Sequence, residues 1–327
     1  MISRSTSFAV LGEALIDLRV VAGAEPGTDD RPAARSYTAQ PGGSPFNVAI
    51  GLGRLGHRAE FVGRIAEDAL GGILRRHAEH SHVALEYSGT WDGPTPAAVF
   101  DLDPDGSARY EFHLGDPHQT IFAADDAARI YPSSVDAAHF GSIASWLPGS
   151  AEAVLETAAR LRENGVFVSY DPNIRAMLMP DRTLAVKSVE RAITTSDLAK
   201  ASVEDLEWLH PGRSTADVAH DWIKHGALAV VITHGAEGAD CYTASGVTHS
   251  PGIPVTVVDT VGAGDAFMAG LLDGLAQKDA LSRAGLAELL TRAADAQHLL
   301  DDACAYAAAT CTRHGADPPW TRVPMPA

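Results

Sequence analysis

Val257-Val258-Asp259-Thr260-Val261-Gly262-Ala263-Gly264-Asp265-Ala266-Phe267 is the stretch on which the reading of this chain turns. A short β-branched run enters it, two glycines bracket a small residue, an aspartate follows, and a helical pattern begins at once. Such a turn aims the N–H groups of Gly262, Ala263 and Gly264 into one space, where the positive end of the following helix adds to them. The result is an anion hole. Asp265, fixed at the helix start beside it, is placed to take the proton of an alcohol as that alcohol attacks a phosphoryl group held in the nest. The chemistry implied is phosphoryl transfer to a hydroxyl. The same residues also fit a Gly-rich loop with Asp265 as an ordinary N-terminal helix carboxylate, so the pattern needs support from the rest of the chain.

Composition narrows the field. The 327 residues, 46% of them hydrophobic, are enough for one large α/β domain or two ordinary ones. A formal net charge of -17, from 42 acidic against 25 basic residues, disfavours nucleic acid and an anionic membrane surface as partners. Cys241, Cys304 and Cys311 form no CxxC pair and are odd in number, which suggests neither a disulfide framework nor a zinc site. The polar start, Met1 to Ser7, leads into an apolar stretch too short and too interrupted for a signal peptide or a membrane span, so a cytoplasmic protein is expected.

Taken in order, Phe8 to Val21 reads as a buried strand with one carboxylate, Asp17, near its end, where α/β sheets place their ligands. Gly42-Gly43 lets backbone come close to a ligand, and Asn47, one turn into the helix that follows, carries both a donor and an acceptor. The segment from Ala22 to Gln40 reads as a turn joining short exposed strands, and Ala97 to Leu114 as a hairpin whose inner arm carries Arg109 and Tyr110. Arg109 suits either a substrate contact or an edge charge. His77, His80 and His82 lack a completing ligand and read as a solvated helix face. From Val135 onward strand and helix alternate, which predicts a mostly parallel sheet with helices on both faces. One of these strands ends in Asp171-Pro172-Asn173-Ile174-Arg175, where Arg175 either touches substrate or neutralises Asp171. The tail after Asp317, with four prolines, reads as an extended surface segment.

The run from Asp259 to Leu272 resembles the second signature of the ribokinase (PfkB) family of sugar and nucleoside kinases, in which the corresponding aspartate is the catalytic base. Gly42-Gly43-Ser44-Pro45-Phe46-Asn47-Val48-Ala49, running on to Gly56, resembles the first signature, in the expected order and at the expected distance. The first signature departs from the family in carrying Ala66 where a glycine is usual, which bears on the local turn geometry, although Asp68 and Gly71 match. The resemblance implies a ribokinase-like three-layer α/β/α core in one kinase domain, residues 1–327, with a small β lid from about 19–40 and 96–115 that excludes water. It implies Asp265 as base, Gly262, Ala263 and Gly264 as anion hole, and Asp17, Gly42, Gly43, Asn47, Arg109 and Arg175 around the sugar. Lys200, Ser202, Thr233, Gly235, Gly238 and Gly264 would meet the nucleotide. Asp205 or Glu204 would organise magnesium through water, with Ser202 and Asp205 standing where the family's NxxE element has asparagine and glutamate. Asp259 matches a position that often binds a monovalent cation such as potassium.

The activity expected is therefore transfer of the γ-phosphoryl group of ATP to a sugar hydroxyl, with fructose O6 as the acceptor, since Ser202 and the DPNxR turn resemble fructokinases. That turn equally resembles 2-keto-3-deoxygluconate kinases, and Arg109 would suit a sugar acid. A non-catalytic sugar-binding regulator on the same fold is the reading from another class. Resemblance also implies a homodimer through the lid.

Overall fold

The computed structural model describes residues 5–20, 36–102, 108–179 and 181–323, with backbone alone for 101, 102 and 108–110. A nine-stranded sheet forms its centre, in the spatial order Gly246–Pro251, Gly238–Thr243, Ala229–Thr233, Leu198–Ser202, Phe167–Asp171, Ala137–Gly141, Ser7–Leu11, Arg58–Val62 and Val83–Ala84. From Ala229–Thr233 to Val83–Ala84 every pairing is parallel, and the two strands at the other edge are antiparallel. The alternation seen in sequence after Val135 thus yields the expected sheet. Successive residues of a strand feed opposite faces: Phe8 and Val10 enter one apolar core, Ala9 and Leu11 the other. Helices Ser44–Arg54, Ala263–Gln277 and Ala293–Cys311 cover the first face, and Ala151–Glu163, Arg182–Thr194 and Thr215–Lys224 the second.

The apolar run at the N-terminus is not one strand. It breaks at Gly12, whose φ of 153° lies outside what a side chain readily adopts, and a Cβ there would strike Pro45. The chain then enters a second, four-stranded sheet as Leu15–Val20, pairing antiparallel with Tyr37–Gly42 and parallel with Ala97–Leu102, which continues into Ala108–His113. Asp17 consequently sits in the small sheet and not at the end of the core strand, a place taken by Glu13. The expected hairpin is present, whereas its tip and the stretch 21–35 lie outside the described residues.

The departure at Ala66 leaves the following turn intact. Asp68 caps helix Ala69–His80 by accepting from the Gly71 N–H at 2.7 Å, and Ala66 is fully buried. The C-terminal tail also differs from expectation. It is extended but clamped: Pro318 and Pro319 are buried, and Arg54 donates to Asp317 at 2.5 Å and to the Pro318 carbonyl at 2.6 Å. Tyr306 donates to the Pro319 carbonyl at 2.6 Å. Arg54 also lies 4.7 Å from the Trp320 ring, which His80 and His82 meet in T-shaped contacts. Among the described residues no cluster of three or more His, Cys, Asp or Glu could hold a metal ion, and no helix is long and apolar enough to cross a membrane.

The last clamp is ionic. Buried Asp273 accepts two hydrogen bonds from Arg322, each 2.7 Å, and lies 2.7 Å from His57 Nε2. Although burial opposes ionisation, these partners hold its carboxyl below the usual range, so the stabilisation exists above the ordinary carboxylate pKa and is lost as pH falls through the depressed one. Asp273→Ala is expected to lower the unfolding free energy by about 2 kcal/mol, less than a fully buried pair would cost because Arg322 is half exposed. Urea denaturation at pH 7 measures it, and the wild-type advantage should shrink at acid pH.

Candidate active site

Two helix N-termini meet at one carboxylate. Asp265 is the third residue of helix Ala263–Gln277, and Ser44 and Asn47 lie on the first turn of helix Ser44–Arg54. Ser44 Oγ donates to Asp265 Oδ1 at 2.7 Å and Asn47 Nδ2 to Oδ2 at 2.8 Å. This close approach depends on small residues deeper in the helix pair, since a Cβ on Gly51 would come within 2.6 Å of the Ala269 Cβ. Burial raises the Asp265 pKa, against the pull of Asn47, Ser44 and the Lys200 ammonium, while Asp171 adds to the rise. Asn47 has spent its amide nitrogen on Asp265, and its Oδ1 is buried without a partner. A buried acceptor left open is costly unless a donor arrives, as a sugar hydroxyl would.

Gly262, with φ of 76°, caps the Ala263–Gln277 helix; a Cβ there would clash with Ala316. The Ala263 N–H bends back to the Thr260 carbonyl at 3.2 Å. Among the described residues no acceptor meets the N–H groups of Gly262, Gly264 or Asp265. A nest of donors therefore remains at the positive end of the helix, made by a slightly different set from the one the sequence suggested.

The Lys200 ammonium borders this nest. It is buried, donates to Asp171 Oδ2 at 2.8 Å, and would lie 3.0 Å from a Cβ placed on Gly264. Burial alone would lower its pKa; Asp171, with Asp205 and Asp265 beyond, outweighs that and holds the ammonium charged. Asp171 therefore belongs to Lys200 and not to Arg175, whose guanidinium folds back onto Asn173 Oδ1 at 2.7 Å and onto the carbonyls of Asn173 and Ile174.

Asp17 enters from the small sheet. Its carboxylate packs on Gly42, where a Cβ would fill its space, and Gly43, with φ of 100°, brings backbone against Glu13. Burial pushes Asp17 up to about 6, with Arg175 opposing and Asp265 and Asp259 adding to the rise. Glu13, missed in the sequence, accepts from the Ala144 N–H at 3.1 Å and is raised by burial to about 7. The side chain of Arg109 lies outside the described residues; its backbone pairs with Asp101.

On the other side, Ser202 and Asp205 form a reciprocal cap on helix Val203–Leu209: the Asp205 N–H donates to Ser202 Oγ at 3.1 Å, and Ser202 returns its hydroxyl and N–H to Oδ2 at 2.8 and 2.9 Å. The Ile174 N–H takes Oδ1 at 2.7 Å. Both Asp205 oxygens are thus used, whereas Glu204 is exposed on the same turn. The S-x-x-D spacing was the signal for this cap. Thr233 ends the neighbouring strand, and Gly235 and Gly238, both at positive φ, turn the chain beside it.

Asp259 accepts from the Val261 N–H at 3.1 Å, the Gly315 N–H at 3.1 Å and the Arg19 guanidinium at 2.9 Å. These donors hold its carboxyl low despite burial. Among the described residues Oδ2 thus faces the Arg19 cation and the Gly315 N–H, while Oδ1 meets the Val261 N–H alone. Arg19, which also lies 5.8 Å from the Phe100 ring, is a second residue that sequence reasoning missed.

A buried carboxylate held by two donors, a donor nest at a helix N-terminus and a buried ammonium are grouped at the carboxyl ends of parallel strands, the usual ligand edge of such a sheet. The family model described as "pfkB family carbohydrate kinase" matches residues 5–322. The chain belongs to this family. It is a sugar kinase. It is 38% identical over 285 residues to a fructokinase of Rhizobium leguminosarum bv. trifolii, covering 85% of this chain and 82% of the relative. A fructokinase of Xylella fastidiosa solved with bound ATP superposes with a TM-score of 0.83 at 26% identity, covering 98% of this chain and 95% of that one. A Vibrio cholerae fructokinase solved with fructose, ADP and calcium gives 0.72 at 25% identity, over 95% and 94% of the two chains.

If ionised Asp17 grips the sugar, kcat/KM of the kinase should fall as pH drops through about 6. Asp17→Asn should raise KM for the sugar roughly tenfold or more, the loss expected for a hydrogen bond to a charged group. Initial rates from pH 5 to 8 would show whether the variant flattens the acid limb.

Proposed function

We propose that this kinase transfers the γ-phosphoryl group of ATP to the 6-hydroxyl of fructose. The observation that carries the reading is the buried Asp265 carboxylate, held by Ser44 and Asn47 beside the free N–H groups of Gly262 and Gly264. In the transfer the sugar O–H proton passes to Asp265, the freed oxygen bonds to the γ-phosphorus, and the bond from that phosphorus to ADP breaks. The nest and Lys200 take up the charge of the transferring group. Asn47 Oδ1, Asp17 and the close backbone at Gly42-Gly43 receive the other hydroxyls, with Arg175 near enough to lower the Asp17 pKa.

The nucleotide would lie along Thr233, Gly235 and Gly238 and across Gly264. Magnesium, when bound, would offset the charge of the nucleotide's phosphates. The residues fit an ion held chiefly by phosphate and water, with Glu204 as the carboxylate free to orient that water and Asp205 occupied in the helix cap. The four-stranded sheet acts as the lid of a single kinase domain. Fructose as acceptor is supported by the fructokinases that this chain resembles over most of its length.

Coupled ADP release with ATP and magnesium, across fructose, ribose, tagatose, 2-keto-3-deoxygluconate and adenosine, tests the substrate; fructose should dominate, and a preference for the sugar acid would overturn that choice. Asp265→Asn should cost about 10²- to 10⁴-fold in turnover with its melting temperature retained. Lys200→Met should lower kcat by about 10²- to 10³-fold with a smaller change in sugar KM, because its charge is spent on the transition state. Turnover undiminished in the Asp265 variant would sink the mechanism.

A further inference from the structure

The two donors on Asp265 come from one helical turn but differ in kind. Asn47 contributes an amide, and Ser44 a hydroxyl that is 7% exposed and makes no other hydrogen bond among the described residues. Each takes a different carboxylate oxygen. One donor alone would leave the carboxylate free to turn about its Cβ–Cγ bond; two, on separate oxygens and from a backbone fixed by the helix, lock its plane.

We propose that Ser44 is a positioning residue for phosphoryl transfer, whose hydroxyl holds the Asp265 carboxylate still and ionised for proton removal. The inference rests on the reading of Asp265 as the base. It follows from where the other charges stand. From the large sheet, Lys200 favours the ionised carboxylate and Asp171 opposes it; from the small sheet, Asp17 opposes it as well. Burial opposes it most of all. With two carboxylates and desolvation set against a single ammonium, the Ser44 and Asn47 hydrogen bonds are the main restraint on the rise. Ser44 therefore has a task distinct from touching sugar: the alcohol meets Asp265, and Ser44 acts through Asp265.

The test uses the full chain labelled with ¹³C-carboxyl aspartate, with the Asp265 signal assigned by its loss in Asp265→Asn. In Ser44→Ala the Asp265 titration midpoint is expected to rise by about one pH unit, the equivalent of losing a hydrogen bond to an ionised group worth tenfold. Ser44→Thr, which restores a hydroxyl, should return it. The acid limb of kcat at saturating sugar should move with that midpoint, while KM for the sugar stays within about twofold. An Asp265 midpoint unchanged in Ser44→Ala, or a fall in kcat with an unmoved acid limb, overturns the proposal. The carboxyl titration does not depend on which alcohol is phosphorylated, so a wrong substrate leaves this outcome readable. A failure of Asp265 as base would show separately, as turnover retained in Asp265→Asn.

Discussion

Hydrogen bonds from Ser44 and Asn47 to Asp265 join parts of the chain 221 and 218 residues apart, and most of the molecule's organisation follows from making them possible. They require two helices to start at the same point in space. That in turn requires the helices to pack closely along their length, which the Gly51 and Ala269 contact permits on one side and the approach of Gly270 to Ala303 on the next. The sheet beneath supplies a common edge. Burial works against the charge of such an aspartate and donors on fixed backbone work for it, so the rigidity of the fold and the charge of this carboxyl are linked.

A second layer of charge surrounds the first. Asp171, Lys200 and Asp265 form an alternating row along the strand ends, and Asp205 is tied down within its cap. The single buried ammonium is thus shared among several carboxylates. The donor nest at Gly262 and Gly264 adds partial charges that need no titrating group. On the far side Arg19, on the small sheet, pairs with Asp259 in the loop before helix Ala263–Gln277.

The chain's periodicity after Val135 announced the parallel sheet, and the GAGD and GGSPFN stretches announced the helix starts, because each depends on local backbone demands. Asp17 was misplaced within the fold because Phe8 to Val20 reads as continuous apolar sequence, and only the crowding of Gly12 by Pro45 breaks it. The Arg19 pairing with Asp259 and the Lys200 pairing with Asp171 were invisible for a different reason: each partner is ordinary where it stands, and tertiary distance alone makes the pair. Ser202 and Asp205 carried a visible capping pattern that family likeness had overshadowed. Lys200 was assigned to the nucleotide by likeness alone; what the structure adds is its pairing with Asp171 beside Gly264.

The clamp on the tail has a consequence in time as well as in energy. Arg54 finds Asp317 across 263 positions, and Asp273 finds Arg322 across 49. Both partners are synthesised after every strand of the sheets. Until they arrive, Arg54 and Asp273 lack these counter-charges, and a nascent chain must keep them wet or bound to something else. Completion of the fold therefore waits on residues made after the sheets, through two arginine pairs remote from the chemistry.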